Sequence, residues 1–438
     1  MLPIIARPRS LSLNVPSPGP PRAPGITHAQ LLALSSTAFA SMTSIRIADP
    51  MLPRLAADFG SDLESAAWVI TGFALAYGIM QLVSGPLGDR YGKLRLISTG
   101  AFAAAVGSLL CALAPSMPLL IAARFVTGAC CAAIIPLSLA WIGDSVDYED
   151  RQETLARFAT GTLLGLIAGQ AFGGIAADTI GWRGAFGALA VLFSVFAWRM
   201  LPSVRTEAVQ RAAAPAARAS LYRSYADIVR SHWAKMVLAI TFVEAALLFG
   251  TTAFVPTWLH TRFGIALSAA GMLVAAMGIG GLAFLRGAKF WLPRLGEKRL
   301  TLAGGASIGA GLLAIAALDR SDAGLTAVAC VAALGCMLVG FGFYMMHNTL
   351  QALATQLAPH ARGTAVGLFA VALFLGQSAG IAATASLAGR IGYQAVFVIA
   401  ALMVTVLGAG LSFALRQRAA REAVAAAAGA GTGADRRT

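Results

Sequence analysis

The sequence predicts an all-α integral membrane protein of twelve spanning helices, arranged as two pseudo-symmetric six-helix bundles. Three observations carry this prediction: 58% of the 438 residues are hydrophobic and only 12% charged, apolar runs of spanning length follow one another, and the second half partly repeats the first. An ordinary soluble domain has about 25% charged residues. The chain therefore has too little polar surface to enclose its apolar residues in water, which argues against a soluble enzyme.

The apolar runs are each close to the length that crosses a bilayer as a helix. They lie at 31–52, 66–86, 96–114, 118–141, 154–177, 184–201, 236–258, 267–288, 299–318, 324–350, 363–386 and 393–415. These positions predict five regions: a Pro-rich tail (1–28), a first bundle (29–201), a basic connector (202–234), a second bundle (235–415) and a second tail (416–438).

The basic residues indicate the orientation of the spans. With both termini in the cytoplasm, 26 Lys and Arg residues lie on the inner side and five on the outer side. Positive residues are retained inside, so the count predicts a multi-pass membrane protein, in contact with lipid and with both tails cytoplasmic. Although the net charge is +14, no nucleic-acid-binding motif accompanies it, and no nucleic-acid partner is expected.

Metal and cofactor motifs are missing from the sequence. The five cysteines have neither CxxC nor Cys/His ligand spacing, and no P-loop lysine is present. We therefore expect no metal site, no cofactor and no direct use of ATP.

Two pairs of segments carry the internal repeat. Gly169-Gln170 in the fifth span aligns with Gly376-Gln377 in the eleventh, and the loop at 90–95 with the loop at 294–299. Offsets near half the chain indicate two bundles in parallel repeat, with a cavity between them. This arrangement predicts alternating access.

The loop between the second and third spans holds the sharpest local motif. Small residues there predict a tight turn, and three cations accompany one carboxylate; the residues are Gly85, Asp89, Arg90, Gly92, Lys93 and Arg95. This loop resembles the signature of the major facilitator superfamily, and the chain resembles that superfamily's bacterial drug and metabolite (arabinose-efflux-like) proton antiporters. The resemblance implies the major facilitator fold and a location in a bacterial inner membrane. It also implies a gating loop, in which Asp89 contacts the start of the eleventh span near 362–364.

Glycines recur at every fourth residue of the fifth span and form a smooth ridge for helix packing: Gly161, Gly165, Gly169 and Gly173. The ridge resembles the family's antiporter motif, except that Gln170 replaces the proline that usually follows the third glycine. We expect the ridge to keep its packing role, whereas the replacement of the proline by Gln170 weakens the inference that the transporter is an antiporter.

Ionisable residues inside spans are costly and therefore mark candidate functional sites: Arg46, Asp49, Arg124, Glu244 and His347. They fall in the first, fourth, seventh and tenth spans, which line the central cavity in the superfamily. Asp49 is followed by Pro50, which predicts a break in the helix. By resemblance, Asp49 and Arg124 form a proton-coupling pair, with Glu244 as a further coupling residue. The alternative is that Arg46 simply neutralises Asp49.

Further polar side chains are candidates for the substrate cavity. Glu244 has no neighbouring cation in sequence and could bind a cationic substrate or a proton, or instead form an interhelical hydrogen bond. The other candidates are Arg46, Tyr77, Gln81, Tyr344, His347, Asn348 and Gln351. Helix packing is the alternative role for the tyrosines and Gln81.

The resemblance and these residues together predict a monomeric secondary transporter rather than an enzyme. Its expected activity is proton-coupled export of a small amphipathic or cationic compound. Two alternatives remain open. One is a uniporter or importer of a sugar or organic acid, in which Arg46 and Arg124 bind a carboxylate. The other is a membrane-embedded enzyme or receptor.

Overall fold

The computed structural model of the chain describes residues 26–212, 221–320, 324–358 and 362–434, and almost all of them are helical. In the first half the α-helices are α1 (His28–Arg46), α2 (Leu52–Phe59), α3 (Leu63–Tyr91), α4 (Lys93–Leu113), α5 (Met117–Cys131), α6 (Ile134–Ser145), α7 (Tyr148–Asp178) and α8 (Gly181–Ala212). In the second half they are α9 (Leu221–Arg230), α10 (His232–Thr252), α11 (Val255–Phe263), α12 (Leu267–Ala317), α13 (Leu325–Gln356), α14 (Arg362–Ile391) and α15 (Tyr393–Ala434).

Eleven helical runs in the described residues are long and apolar enough to cross a membrane. The longest, 54 residues from Leu267 to Arg320, contains α12, in which Gly296 has a left-handed φ of 65° and breaks the helical backbone. Because a spanning helix needs about 20 residues, this run supplies two spans joined at Gly296. The predicted twelve-helix fold is confirmed.

The first and seventh spans are broken at proline. A 3₁₀ turn, Asp49–Met51, separates α1 from α2, and Pro50 lies within it. In the seventh span, α10 ends at Thr252 and α11 begins at Val255, followed by Pro256. Proline has no amide hydrogen and clashes with the preceding turn, so both breaks follow directly from the sequence.

The tight turns repeat between the two halves. Four glycines with positive φ lie at turns. Gly60 and Gly264 end the first and seventh spans, Gly92 joins the second span to the third, and Gly296 joins the eighth to the ninth. The members of these two pairs are 204 residues apart, and Gly181 and Gly392, which are 211 residues apart, form a third pair before α8 and α15. Only glycine adopts such backbone angles readily.

The loops define two ends of the molecule, which we name the Gly60 end and the Gly92 end. The Gly60 end also carries Gly264 and Gly392, whereas the Gly92 end also carries Gly296. At the Gly60 end the two halves share one hydrophobic core. Its members include Ile47, Leu52 and Trp182 from the first half, and Phe254, Leu267 and Ile381 from the second.

Parts of the predicted connector and of the second tail are also helical. Helix α8 continues to Ala212 and α15 to Ala434, beyond the ends of their apolar runs. The extension of α15 is rich in alanine, which has a high helix propensity. Within the predicted connector, residues 213–220 lie outside the described residues, as do 1–25 and 435–438 of the predicted tails.

Candidate functional site

A buried polar cluster lies at the break in the first span. The Arg46 Nη1 atom is 3.3 Å from Asp49 Oδ2, and the side-chain amide of Gln170 donates a 2.8 Å hydrogen bond to the same oxygen. Asp49 is fully buried, and its second oxygen, Oδ1, has no hydrogen-bond partner among the described residues. A carboxylate with one bound and one unbound oxygen retains the capacity to accept a further hydrogen bond or a proton.

The cluster faces a cavity of about 50 Å³ between the two halves. Arg46, Gln170 and Tyr344 are polar members of its lining, and Phe249 and Phe343 are aromatic ones. The Arg46 guanidinium lies over the Phe249 ring, 4.2 Å from its centroid. In this conformation the cavity has room for a few water molecules, so a larger molecule could enter only if the halves separated.

The glycine ridge of α7 packs directly against the first span. A Cβ atom on Gly165 would come within 2.5 Å of the Phe39 carbonyl oxygen, and one on Gly169 within 2.7 Å of the Thr43 carbonyl oxygen. Gly161 and Gly173 make similarly close approaches to the backbone of Ser35 and Ile47, respectively. This close packing holds α7 near enough for Gln170 to contact Asp49.

Arg124 is buried near this cluster, but its hydrogen bonds go elsewhere. Its guanidinium donates to the Ser44 hydroxyl at 3.2 Å, the Ser44 carbonyl at 2.9 Å and the Val69 carbonyl at 3.3 Å. It also lies over the Phe73 ring, 4.1 Å from the centroid. An Arg124–Asp49 ion pair, suggested by the resemblance, is therefore not formed in this conformation, because the backbone of the first span occupies the guanidinium.

A second buried polar pair joins α10 to α13. His347 Nδ1 is 3.0 Å from Glu244 Oε2, while Glu244 Oε1 has no hydrogen-bond partner among the described residues. The imidazole stacks on the Phe343 ring at a centroid distance of 4.6 Å. The sequence pointed to both residues separately, and the fold brings them into contact.

The other cavity candidates occupy different environments. Tyr77 is buried, with its ring centroid 4.1 Å from that of Phe374 on α14, and Gln81 donates to the Ala132 carbonyl at the break between α5 and α6. Asn348 is half-buried, and Gln351 is exposed. Tyr77 therefore contacts the opposite half, whereas Gln81 stabilises its own half.

The loop motif is more helical than its small residues predict. Helix α3 continues to Tyr91, so Gly85 lies within it, and the turn is made by Gly92 alone, with φ of 101°. The tight turn of this motif is therefore made at Gly92, and α3 continues through Gly85 and the proline after it. Arg90 lies over the Tyr91 ring.

Ion pairs and hydrogen bonds connect the charged residues of this loop to neighbouring helices. Lys93 pairs with Asp144 at the end of α6, and lies 3.9 Å from Asp89. The Glu207 carboxylate from α8 accepts hydrogen bonds from the backbone N–H groups at the start of α4, at 2.9 Å from Lys93, 3.2 Å from Leu94 and 3.2 Å from Arg95. A carboxylate at a helix N-terminus satisfies donors that have no partner within the helix.

Sequence reasoning missed four contributors to these sites. Gln170 was interpreted as a packing residue although it binds Asp49; Ser44, Phe249 and Glu207 were not singled out at all. For Gln170 a signal existed, since an amide in an apolar helix is unusual. The other three contacts depend on how the helices pack and have no local signature.

Two related six-helix bundles with charged side chains buried near the cavity between them define a secondary transporter architecture. The chain belongs to the Major Facilitator Superfamily, whose family model matches residues 34–381. It is therefore a multi-pass membrane transporter of that superfamily.

Two relatives illustrate its similarity to curated proteins. The multidrug export protein EmrB of Haemophilus influenzae is 32% identical over 198 residues, which cover 44% of this chain and 38% of EmrB. The uncharacterised MFS-type transporter YceJ of Bacillus subtilis is 24% identical over 349 residues, covering 79% of this chain and 85% of YceJ. The chain thus aligns with well under half the length of the EmrB exporter.

Solved structures show the same fold at low sequence identity. The nucleoside transporter NupG superposes with a TM-score of 0.69 and 16% identity, covering 88% of this chain and 98% of NupG. The D-xylose–proton symporter superposes with a TM-score of 0.65 and 15% identity, covering 86% and 96%, respectively.

Proposed function

We propose that this transporter exports a small amphipathic or cationic compound in exchange for protons. The observation that carries the proposal is the fully buried Asp49, held by Arg46 and Gln170 beside the cavity between the halves. An ionised carboxylate buried in a membrane protein is costly unless it is paired, so such a group marks a site of ion binding or proton exchange.

In this proposal, coupling results from competition between the substrate and a proton for Asp49. With the cavity closed, Arg46 and Gln170 bind one carboxylate oxygen. A substrate cation that entered beside Arg46 would compete with a proton for the same carboxylate, so loading one would release the other. Arg124 does not contact Asp49, because its guanidinium donates to Ser44, and its charge acts on the Asp49 carboxylate at longer range.

Glu244 forms a second proton or substrate site with His347. Both are buried on the second half, and one Glu244 oxygen has no hydrogen-bond partner among the described residues. Aromatic rings of the cavity lining contact the partner of each acid: Phe343 stacks on His347, and Arg46 lies over Phe249. Apolar and aromatic walls with a few polar groups suit an amphipathic molecule, and similarity to the multidrug exporter EmrB supports the export direction.

The loop at 85–95 acts as the gate in this proposal. Lys93 joins α4 to Asp144 of α6, and Glu207 holds the start of α4 in place. These ties make the loop a rigid edge of the first half, against which the second half can close. The Lys and Arg distribution supports a cytoplasmic location for this edge, with both termini inside. The proposal takes the transporter to be a monomer in the inner membrane.

The test uses everted membrane vesicles from a host that lacks its own exporters. A fluorescent probe records the pH gradient while cationic drugs, sugars and organic acids are added in turn. We expect cationic compounds to dissipate the gradient with the intact protein and Asp49→Asn to abolish that response. Glu64→Gln is the matched control, since Glu64 is an exposed acid at the start of α3.

Two outcomes contradict the proposal. Proton movement that is undiminished in Asp49→Asn removes Asp49 from the mechanism. Saturable transport of a labelled sugar or organic acid without proton movement favours the facilitator alternative, in which Arg46 in the cavity lining binds a carboxylate. Western blotting of the vesicles checks that all variants are present in the membrane in equal amounts.

A further inference from the structure

A second cavity, of about 730 Å³, lies at the Gly92 end of the second half, away from the proposed transport path. It is bounded by the turn between the two spans of α12, by the end of α13 and by the part of α15 that follows its apolar run. Four cations line it: Lys298, Arg299, Arg416 and Arg418. Two carboxylates, Glu297 and Glu422, also line it, so positive charge predominates.

Three of the four cations are available to a ligand. Arg418 pairs with Glu422 at 2.7 Å and lies over the Trp233 ring. Lys298, Arg299 and Arg416 take part in no ion pair in the part of the chain that the structure describes. Apolar side chains, Leu295 and Leu415 among them, complete the wall. A pocket with three unpaired cations and an apolar side fits an anion attached to an apolar body.

The internal repeat shows where an anion fits. In the first half, Glu207 accepts hydrogen bonds from the amides that follow Gly92. The corresponding amides of the second half follow Gly296 and belong to Glu297, Lys298 and Arg299. Glu207 lies 26 residues after Gly181, and the residue 26 positions after Gly392 is Arg418. The second half thus has a cation where the first has its capping carboxylate.

We propose that this cavity binds an anionic phosphate group, which takes the place that the Glu207 carboxylate occupies in the first half. The phosphate can come from a phospholipid headgroup of the inner leaflet or from soluble phosphate. Lys298, Arg299 and Arg416 bind it as charged donors, and Leu295 and Leu415 contact the glycerol and acyl carbons of a lipid. Basic pockets at the ends of membrane helices are suited to phosphate headgroups.

The experiment measures lipid binding to purified, delipidated protein in neutral detergent by native mass spectrometry. Phosphatidylglycerol is titrated against the intact protein, the pocket variant Lys298→Gln/Arg299→Gln and a control, Arg286→Gln/Lys289→Gln. The control removes two exposed cations from the same helix that do not line the cavity. We expect the pocket variant to lose phosphatidylglycerol affinity about tenfold or more, because two charged hydrogen-bond donors are removed.

Two further titrations identify the source of the phosphate. Zwitterionic phosphatidylcholine is expected to bind all three proteins equally and weakly. Inorganic phosphate that displaces phosphatidylglycerol from the intact protein, and binds the pocket variant poorly, identifies soluble phosphate as a ligand of the same site. The proposal is overturned if the pocket variant binds both probes like the intact protein, or if the control loses as much affinity. Equal melting temperatures of the three proteins without ligand ensure that folding is not the cause.

Discussion

Substituting Gly174 by alanine is expected to force the two halves apart at the Gly60 end. Gly174 on α7 faces the start of α12, and a Cβ atom there would lie 2.3 Å from the Leu267 carbonyl oxygen and 3.1 Å from the Ser268 Cα. Both are backbone atoms, so no side-chain rotation relieves the clash. The Asp178 carboxylate, which accepts a 2.7 Å hydrogen bond from the Ser268 amide, lies one turn further along α7.

The magnitude follows from the cost of overpacking, about 1–3 kcal/mol. Since the clash is between the halves, opening the Gly60 end removes it, and this energy shifts the closed-to-open equilibrium by roughly 5- to 150-fold. Gly187→Ala is the matched control, because a Cβ on Gly187 meets no atom within 4 Å. Both substitutions gain the same intrinsic helix propensity, roughly 1 kcal/mol, so the difference between them isolates the clash.

Double electron–electron resonance measures the opening directly. Spin labels at Ile180 and Leu325, exposed near the Gly60 end of each half, are attached in a background without the native cysteines. We expect Gly174→Ala to add a population at longer distance, and Gly187→Ala to match the unsubstituted protein. Identical distance distributions for the two variants would refute the assignment of this contact to the closed state.

Three further predictions concern individual polar contacts. Gln170→Ala removes the hydrogen bond from the side-chain amide to Asp49, worth about 1.5–3 kcal/mol. We expect it to reduce substrate-driven proton flux at least tenfold while immunoblots show normal insertion. Unchanged flux would contradict a role for this contact. His347→Ala leaves Glu244 buried without its partner, so thermal unfolding in detergent should show a loss of about 1–3 kcal/mol, and an unaltered melting temperature argues against the pair. Glu207→Ala leaves three backbone amides at the start of α4 without their acceptor and should lower the free energy of unfolding by about 0.5–2 kcal/mol in the same assay. If Glu207→Asp is as stable as the intact protein, the carboxylate is required but the length of the glutamate side chain is not.

Hydropathy and the internal repeat were sufficient to predict twelve spans in two related bundles. Spans can be located from composition alone because a bilayer requires long apolar helices with satisfied backbone groups. The proline at 50 likewise predicts the break after Arg46, and the repeat predicts related halves. These properties are local, or repeat along the chain, so they can be identified in one sequence.

Partner choice within the site could not be predicted in the same way. Arg124 and Asp49 are both visible as charges in apolar spans, yet Arg124 binds the Ser44 backbone, whereas Asp49 binds Gln170 and Arg46. Of these contacts, only the one between Asp49 and Arg46, which are close in sequence, was an alternative that the sequence offered. Which donor reaches which acceptor depends on the rotation and depth of packed helices, to which hydropathy is insensitive. Glu207 shows the same limit, since its partners lie more than a hundred residues away in sequence.

The central claim is that substrate and proton compete for Asp49, and proton release from purified protein tests it most directly. Protein in weakly buffered detergent solution is mixed with a cationic substrate identified in the vesicle assay, and a pH indicator records protons released on binding. The account predicts release from the intact protein and from Glu64→Gln, and none from Asp49→Asn although its substrate binding remains measurable by fluorescence. Equal release from Asp49→Asn, or substrate binding by the intact protein without any release, would contradict it.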